Sequence, residues 1–377
     1  MKKAVLLFSL IVAITGCKKD VNSPAISSFD PAKGASGNSV IIKGHGFGID
    51  KAQLAVEFNG LTAEIDSVIG DTAIYVTVPP GATTGRITVT RKNKTVSGAT
   101  DFVILPGIWV RKADIPWYAG VATGVAFAIN GKGYFATGSN EGPSTDKLFE
   151  YDPATNQWTE KSPCPDQLQG AFRMIIGDKA YIGTGESSLP QSSKMWEYDP
   201  LADLWTQKAD FPSATAFAFG IGVGNRGYAG LSNTYGWWEY DPVGDTWTQK
   251  SNPPNLSSFV CGFAIGDKIY MGCGWENSEW WQYDTTNDTW TRKKDFPVFP
   301  IAGGDCFVIS NNAYVVGGGL ECWLYHPESD SWDQRAFYGY RAFGSAFAIG
   351  NKGYHMGGNA GPIAYFQKDL WEFTPPQ

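Results

Sequence analysis

Charge is scarce in this sequence. Asp, Glu, Lys and Arg make up 18% of its 377 residues, with no block of like charge, no low-complexity tract and no ordered helical signal. Histidine is scarcer still, at three residues, and only His326 and His355 lie beyond residue 105. No CxxC pair or Cys/His cluster occurs, which removes the usual zinc ligand sets, so no metal and no cofactor is expected. Ser-His-Asp hydrolysis lacks a suitably placed histidine, and no pair of carboxylates stands out for glycosidase chemistry. Aromatics (14%) and glycines (45) are plentiful, and that balance suits a β-rich chain with many tight turns.

The first 16 residues read as a targeting segment. "MKKAVLLFSLIVAITGC" has a basic start and an apolar run of about a dozen residues, short of the roughly 20 needed to span a bilayer. Ile14-Thr15-Gly16-Cys17 resembles a bacterial lipobox, which implies cleavage before Cys17, acylation of its thiol, a short tether at 17–22, and an outer-membrane lipoprotein facing periplasm or exterior. Cleavage takes two lysines from 30 basic residues and none from 37 acidic ones, leaving a net charge of −9. That balance argues against nucleic acid or an anionic lipid surface as partner. Contact with a membrane is expected through the lipid on Cys17 alone.

Residues 23–105 show β-branched runs, alternation and Gly/Pro turn clusters. "PAISSFDPAKGASGNSVIIKGHGFG", "VEFNG" and "VPPGATTGRITVT" resemble the IPT/TIG family of immunoglobulin-like domains, which implies a small β-sandwich. Gly44, Gly46 and Gly48 miss the GxGxxG spacing and precede no amphipathic helix, so they read as structural glycines.

Beyond Pro106 a period takes over. Tyr151/Trp158, Tyr198/Trp205, Tyr240/Trp247, Tyr283/Trp290 and Tyr325/Trp332 each stand seven apart, and the tryptophans recur at intervals of 47, 42, 43 and 42. Six copies of an apolar strand, a Gly/Asn/Asp turn and a tyrosine end at Tyr134, Tyr181, Tyr228, Tyr270, Tyr314 and Tyr354. The array over 109–377 is similar to the Kelch repeat, whose four-stranded units form the blades of a β-propeller. The sixth copy ends at "LWEFTPPQ", and "WVRKADIP" (109–116) matches "WTQKADFP" (205–212). The expected architecture is therefore all-β: a sandwich, then a six-bladed propeller over 106–377 closed by strand 109–116.

With strands named a to d within a blade, the a–b and c–d turns are monotonous, whereas the b–c and d–a connections vary and can carry specificity. Two columns break pattern near the start of strand a. Arg173 stands among Ala126, Gly220, Gly262, Cys306 and Ala346, and Asp305 among Val125, Phe172, Phe219, Cys261 and Ser345. Either they anchor a ligand or they form an internal ion pair. Glu141, Glu186, Trp275, Glu276, Glu321 and Tyr365 fall on the same face, and aromatics with carboxylates suit sugar rings. Galactose oxidase shares this propeller type, but its copper site needs histidines this array does not supply. The array is more similar to periplasmic Kelch-type sialic acid mutarotases, which are metal-free. That resemblance implies proton transfer by Glu186 or Glu141 with Arg173. The sequence thus reads as an envelope binding module for a carbohydrate or protein ligand, with a sugar mutarotase or epimerase as the alternative.

Overall fold

The computed structural model describes residues 23–376 apart from 118, 141, 187–189, 233–235, 255–257, 275–276, 299–302, 319–320 and 362–364. It divides into two units, one ending at Ile104 and one beginning at Leu105. The expected all-β class is borne out: among the described residues the only helical element is a single 3-10 turn, Lys51–Gln53.

The first unit is a sandwich. One sheet orders Ala25–Asp30, Ser39–His45, Ala73–Thr77 and Ile65–Ile69; the other orders Lys33–Gly34, Lys94–Ile104, Gly85–Arg91, Leu54–Phe58 and Leu61–Ala63. Alternation sends Val40, Ile42, Ile74, Val76, Val56, Phe58, Ile87 and Val89 into the common core. Gly46 and Gly48 carry left-handed backbone and give their N–H groups to Asp71, at 2.9 and 2.5 Å.

The second unit holds six four-stranded antiparallel sheets among the described residues. The inner strands are Val125–Ile129, Phe172–Ile176, Phe219–Val223, Cys261–Ile265, Gly304–Ile309 and Ser345–Ile349, and each packs against the next, with the last returning to the first. This is a six-bladed propeller. The sixth sheet takes its outer strand, Ile108–Arg111, from the start of the unit, and Trp109 pairs with Phe373. Residues 112–116 leave the sheet, although Lys112 and Ile115 still donate to the carbonyls of Leu370 and Lys368.

The tyrosine–tryptophan spacing now has a physical account. Tyr198 and Trp205 face each other across the c–d hairpin with ring centroids 4.8 Å apart. The tyrosine hydroxyl donates to Asp203 at 2.7 Å, and the same carboxylate accepts the N–H of Ser162, which leaves the preceding blade. The Trp205 indole donates to the Ser162 carbonyl at 2.8 Å. One residue of each blade's exit is thus clipped through both its N–H and its C=O. Asn156, Asp245, Asp288 and Asp330 repeat the clip on Ala113, Ala209, Ser251 and Lys294. The acceptor side chain sits at positive φ, 47–54°, which Asn and Asp tolerate better than most residues.

The sixth seam solves the same problem differently. Trp109 donates to the Ala336 carbonyl at 2.6 Å, but the tyrosine position holds Phe373, which has no hydroxyl to place. The acidic position is Gly107, and the Ala336 N–H goes to the Pro106 carbonyl instead. A Cβ on Gly107 would lie 2.3 Å from the Phe373 ring, so glycine is required by space as well as by its φ of 104°.

Candidate functional site

The d–a connections meet at the axis in a second ring. Thr123, Gly170, Phe217, Phe259 and Phe343 each stand two residues before an inner strand and Gly303 one residue before, and all six have φ between 57 and 70°. Main-chain bonds link neighbours around this ring, among them Thr123 N–H to Phe343 O, Gly170 to Thr123, Phe217 to Gly170, and Phe343 to Gly303, at 2.6–3.1 Å. Glycine adopts this backbone freely, but a phenylalanine there costs about 1–2 kcal/mol. The three phenylalanines are half-buried and touch in an arc, with centroids 4.6 Å apart for Phe217–Phe259 and 5.5 Å for Phe259–Phe343. Two of them use the glycines as seats. A Cβ on Gly170 would lie 2.6 Å from the Phe217 ring, and one on Gly303 would lie 2.4 Å from Phe343.

Inside this ring lies a shallow pocket of about 110 Å³, walled by the six ring residues and the starts of the inner strands. Below it a channel cavity of about 300 Å³ runs between small and apolar side chains, among them Ala128, Ile175, Gly222, Ala264, Val308 and Ala348. Arg173 borders both. It reaches from the second blade to the fifth, three places away in a ring of six, so its ion pair with Asp305 spans the axis. Arg173 Nη2 lies 2.9 Å from Asp305 Oδ1 and also donates to the Ala346 carbonyl at 3.3 Å. Asp305 is held from behind, because Oδ1 accepts the Cys306 N–H at 2.7 Å and Oδ2 the Ala346 N–H at 2.8 Å. The side chains keep 26% and 12% of their surface exposed. Of the two readings of these residues, the internal ion pair is the arrangement present, and it forms the floor of the mouth.

The b–c loops open on the same side. Glu186 pairs with Gln169, next to the ring, through main-chain bonds in both directions, and its carboxylate accepts the Gln169 amide at 3.3 Å. Gln169 in turn accepts from the Ser139 hydroxyl. Glu321 accepts the Trp323 indole, and Tyr365 is 63% exposed. Glu186, Glu321 and Tyr365 are not among the residues lining either cavity. Cys17, Glu141, Trp275 and Glu276 lie outside the described residues.

In the pocket wall, Cys261 sits in hydrogen-bonding reach of Cys273 and Cys306. All three are unbridged and buried, and burial holds the Cys273 and Cys306 thiols protonated.

The phenylalanines escape a reading of the sequence, although the signal is there. Aligning the copies two residues before the Asp305 column gives Thr, Gly, Phe, Phe, Gly, Phe, a column shared by glycine and phenylalanine.

Residues 24–104 match the IPT/TIG domain family. The N-terminal sandwich is an IPT/TIG domain. No curated protein matches the chain. Among solved structures the chain is similar to one titled "Structure of YjhT", with a TM-score of 0.58 and 14% identity over 69% of this chain and 96% of that one. At that identity the likeness is one of fold, and YjhT shares the propeller.

Proposed function

We propose that this chain is a lipid-anchored protein of the bacterial envelope, tethered through Cys17, whose propeller mouth binds a carbohydrate or protein ligand. The observation that carries this reading is the pocket at the axis, where a charged floor and an aromatic rim meet on the face with variable loops. The opposite ends of the strands carry repeated turn chemistry, which leaves little room for specificity. An IPT/TIG domain between lipid and propeller serves as a spacer. The acidic balance of the chain disfavours nucleic acid as a partner. A glycan array probed with the mature chain lacking Cys17 tests the ligand half of the proposal. Fractionation of a Cys17→Ser variant tests the anchor: it should lose membrane association or remain unprocessed.

The alternative is a sugar mutarotase or epimerase. Glu186 favours it, being a half-buried carboxylate oriented by Gln169 at the edge of the mouth. Anomer exchange followed by NMR, with Glu186→Gln as the control, separates the two. Exchange accelerated by the protein and lost in Glu186→Gln would establish the enzyme.

A further inference from the structure

We infer that the mouth receives a neutral saccharide end, stacked on the Phe217–Phe259–Phe343 arc, and rejects anionic sugars. This rests on the reading of the mouth as a ligand site and specifies what that site takes.

The rim points to stacking. Six ring positions demand left-handed backbone, and a purely structural ring would be served by the glycine found at Gly170 and Gly303. Three positions nevertheless carry phenylalanine, among the residues least suited to that conformation. Left-handed backbone retained at three bulky residues whose half-exposed rings line the pocket marks a binding platform. The pocket is too small to engulf a ligand, since enclosed ligand sites run to roughly 300–1,000 Å³. It fits the terminal ring of a longer chain.

The floor sets the charge. A lone arginine would invite a carboxylate, but the charge of Arg173 is already answered by Asp305 at 2.9 Å. Asp305 cannot swing aside without breaking two main-chain bonds. A ligand carboxylate would therefore meet a second carboxylate on the same guanidinium, in a partly dehydrated pocket where like charges repel strongly. Both hydrogen bonds the structure gives Arg173 leave from Nη2, so Nε and Nη1 remain to donate toward the cavities it borders. Neutral hydroxyl and ring oxygens accept such donors without a charge conflict. An apolar protein side chain would use the rim but leave those donors without a partner, so a saccharide fits better.

The test is an array of matched neutral and sialylated glycans, followed by calorimetry on the neutral glycan that scores highest and on its sialylated counterpart. The neutral member should bind at least about tenfold more tightly. Its Kd should barely change between roughly 50 and 500 mM NaCl, because no net charge is neutralised. Phe259→Gly should weaken binding about tenfold or more while Tm holds or rises, since glycine relieves the backbone strain. Preference for the sialylated member overturns the inference and leaves the mouth a ligand site. A Phe259→Gly variant that binds normally, or whose Tm falls by several degrees, overturns it too, because the ring would then be structural. Silence across the array removes the glycan-site reading, and the inference falls with it.

Discussion

The outer seams and the inner mouth of this propeller repeat in different ways. At five of the six seams the side chains recur: tyrosine, an Asp or Asn acceptor and tryptophan clip the blade to its predecessor, and only the acceptor alternates. At the mouth the backbone recurs, with six left-handed residues in register, while the side chains range from glycine to phenylalanine. Where side chains repeat, packing dictates them. Where only the backbone repeats, side chains are free for another purpose.

The comparison can be broken most forcefully at a seam. Trp205→Ala removes an inter-blade aromatic and leaves the Ser162 carbonyl without its donor, which should cost about 3 kcal/mol in urea unfolding, with or without ligand. Phe259→Gly at the mouth should cost nothing. Equal losses at the two places would erase the distinction.

Acid should attack the seam between the fifth and sixth blades. His355 is fully buried; burial, with Arg341 nearby, pushes its imidazole down to about 3. Its Nδ1 bonds the Tyr338 hydroxyl at 2.8 Å, and around it Arg341 forms a buried ion pair with Asp369. The folded state keeps this histidine neutral, whereas the unfolded chain takes up a proton below about 6.5. Stability should therefore fall as pH drops from about 6.5 toward 3, by at most about 1.4 kcal/mol per unit. His355→Phe should flatten that slope whatever it does to stability at neutral pH.

Two smaller changes probe the acceptor position. Gly107→Ala forces a Cβ against Phe373 at positive φ and should cost about 1–3 kcal/mol, against a few tenths for an alanine at an exposed glycine. Asp203→Asn should cost under about 1 kcal/mol at neutral pH, because Asn156 already performs the same task in the first blade. Burial of Asp203 opposes ionisation, yet bonds from Tyr198 and Ser162 and the nearby Lys161 hold its carboxyl below the usual range. Stability from that group is present above about pH 4 and is lost as pH falls through its lowered value, so the asparagine variant should resist acid better.

The fold was largely legible because its determinants are periodic. Tyrosine and tryptophan recur in five copies, Asp-Pro in three of them, and the Gly/Asn/Asp turns in six, so the strands could be counted from the sequence. The sixth seam was harder, since Phe373 and Gly107 abandon the pattern together and lie at opposite ends of the array. Arg173 and Asp305 stood out as exceptions within their columns. That they meet could not be read from columns, because their encounter depends on closing the ring so that the second and fifth blades oppose. Phe217, Phe259 and Phe343 were hidden by their ordinariness: among 22 phenylalanines, a column shared with glycine is their one mark in the sequence, and backbone conformation and exposure set them apart in the structure. Glu186 and Glu321 drew notice as loop carboxylates, and the structure ties one to Gln169 and the other to Trp323.

The strand Ile108–Arg111 pairs with Leu370–Thr374 across almost the whole length of the second unit. Closing so long a loop adds little equilibrium cost, since the entropy grows only with the logarithm of length, but contacts so remote in sequence form late. Until that pairing is made, each nascent propeller offers an unpaired edge on Leu370–Thr374 and carries a free strand that fits it. A neighbouring molecule carries the same pair, so two chains refolding at high concentration can trade these strands and emerge as an exchanged dimer. Yield of monomer should accordingly depend on dilution during refolding, while the melting of monomers already closed should not.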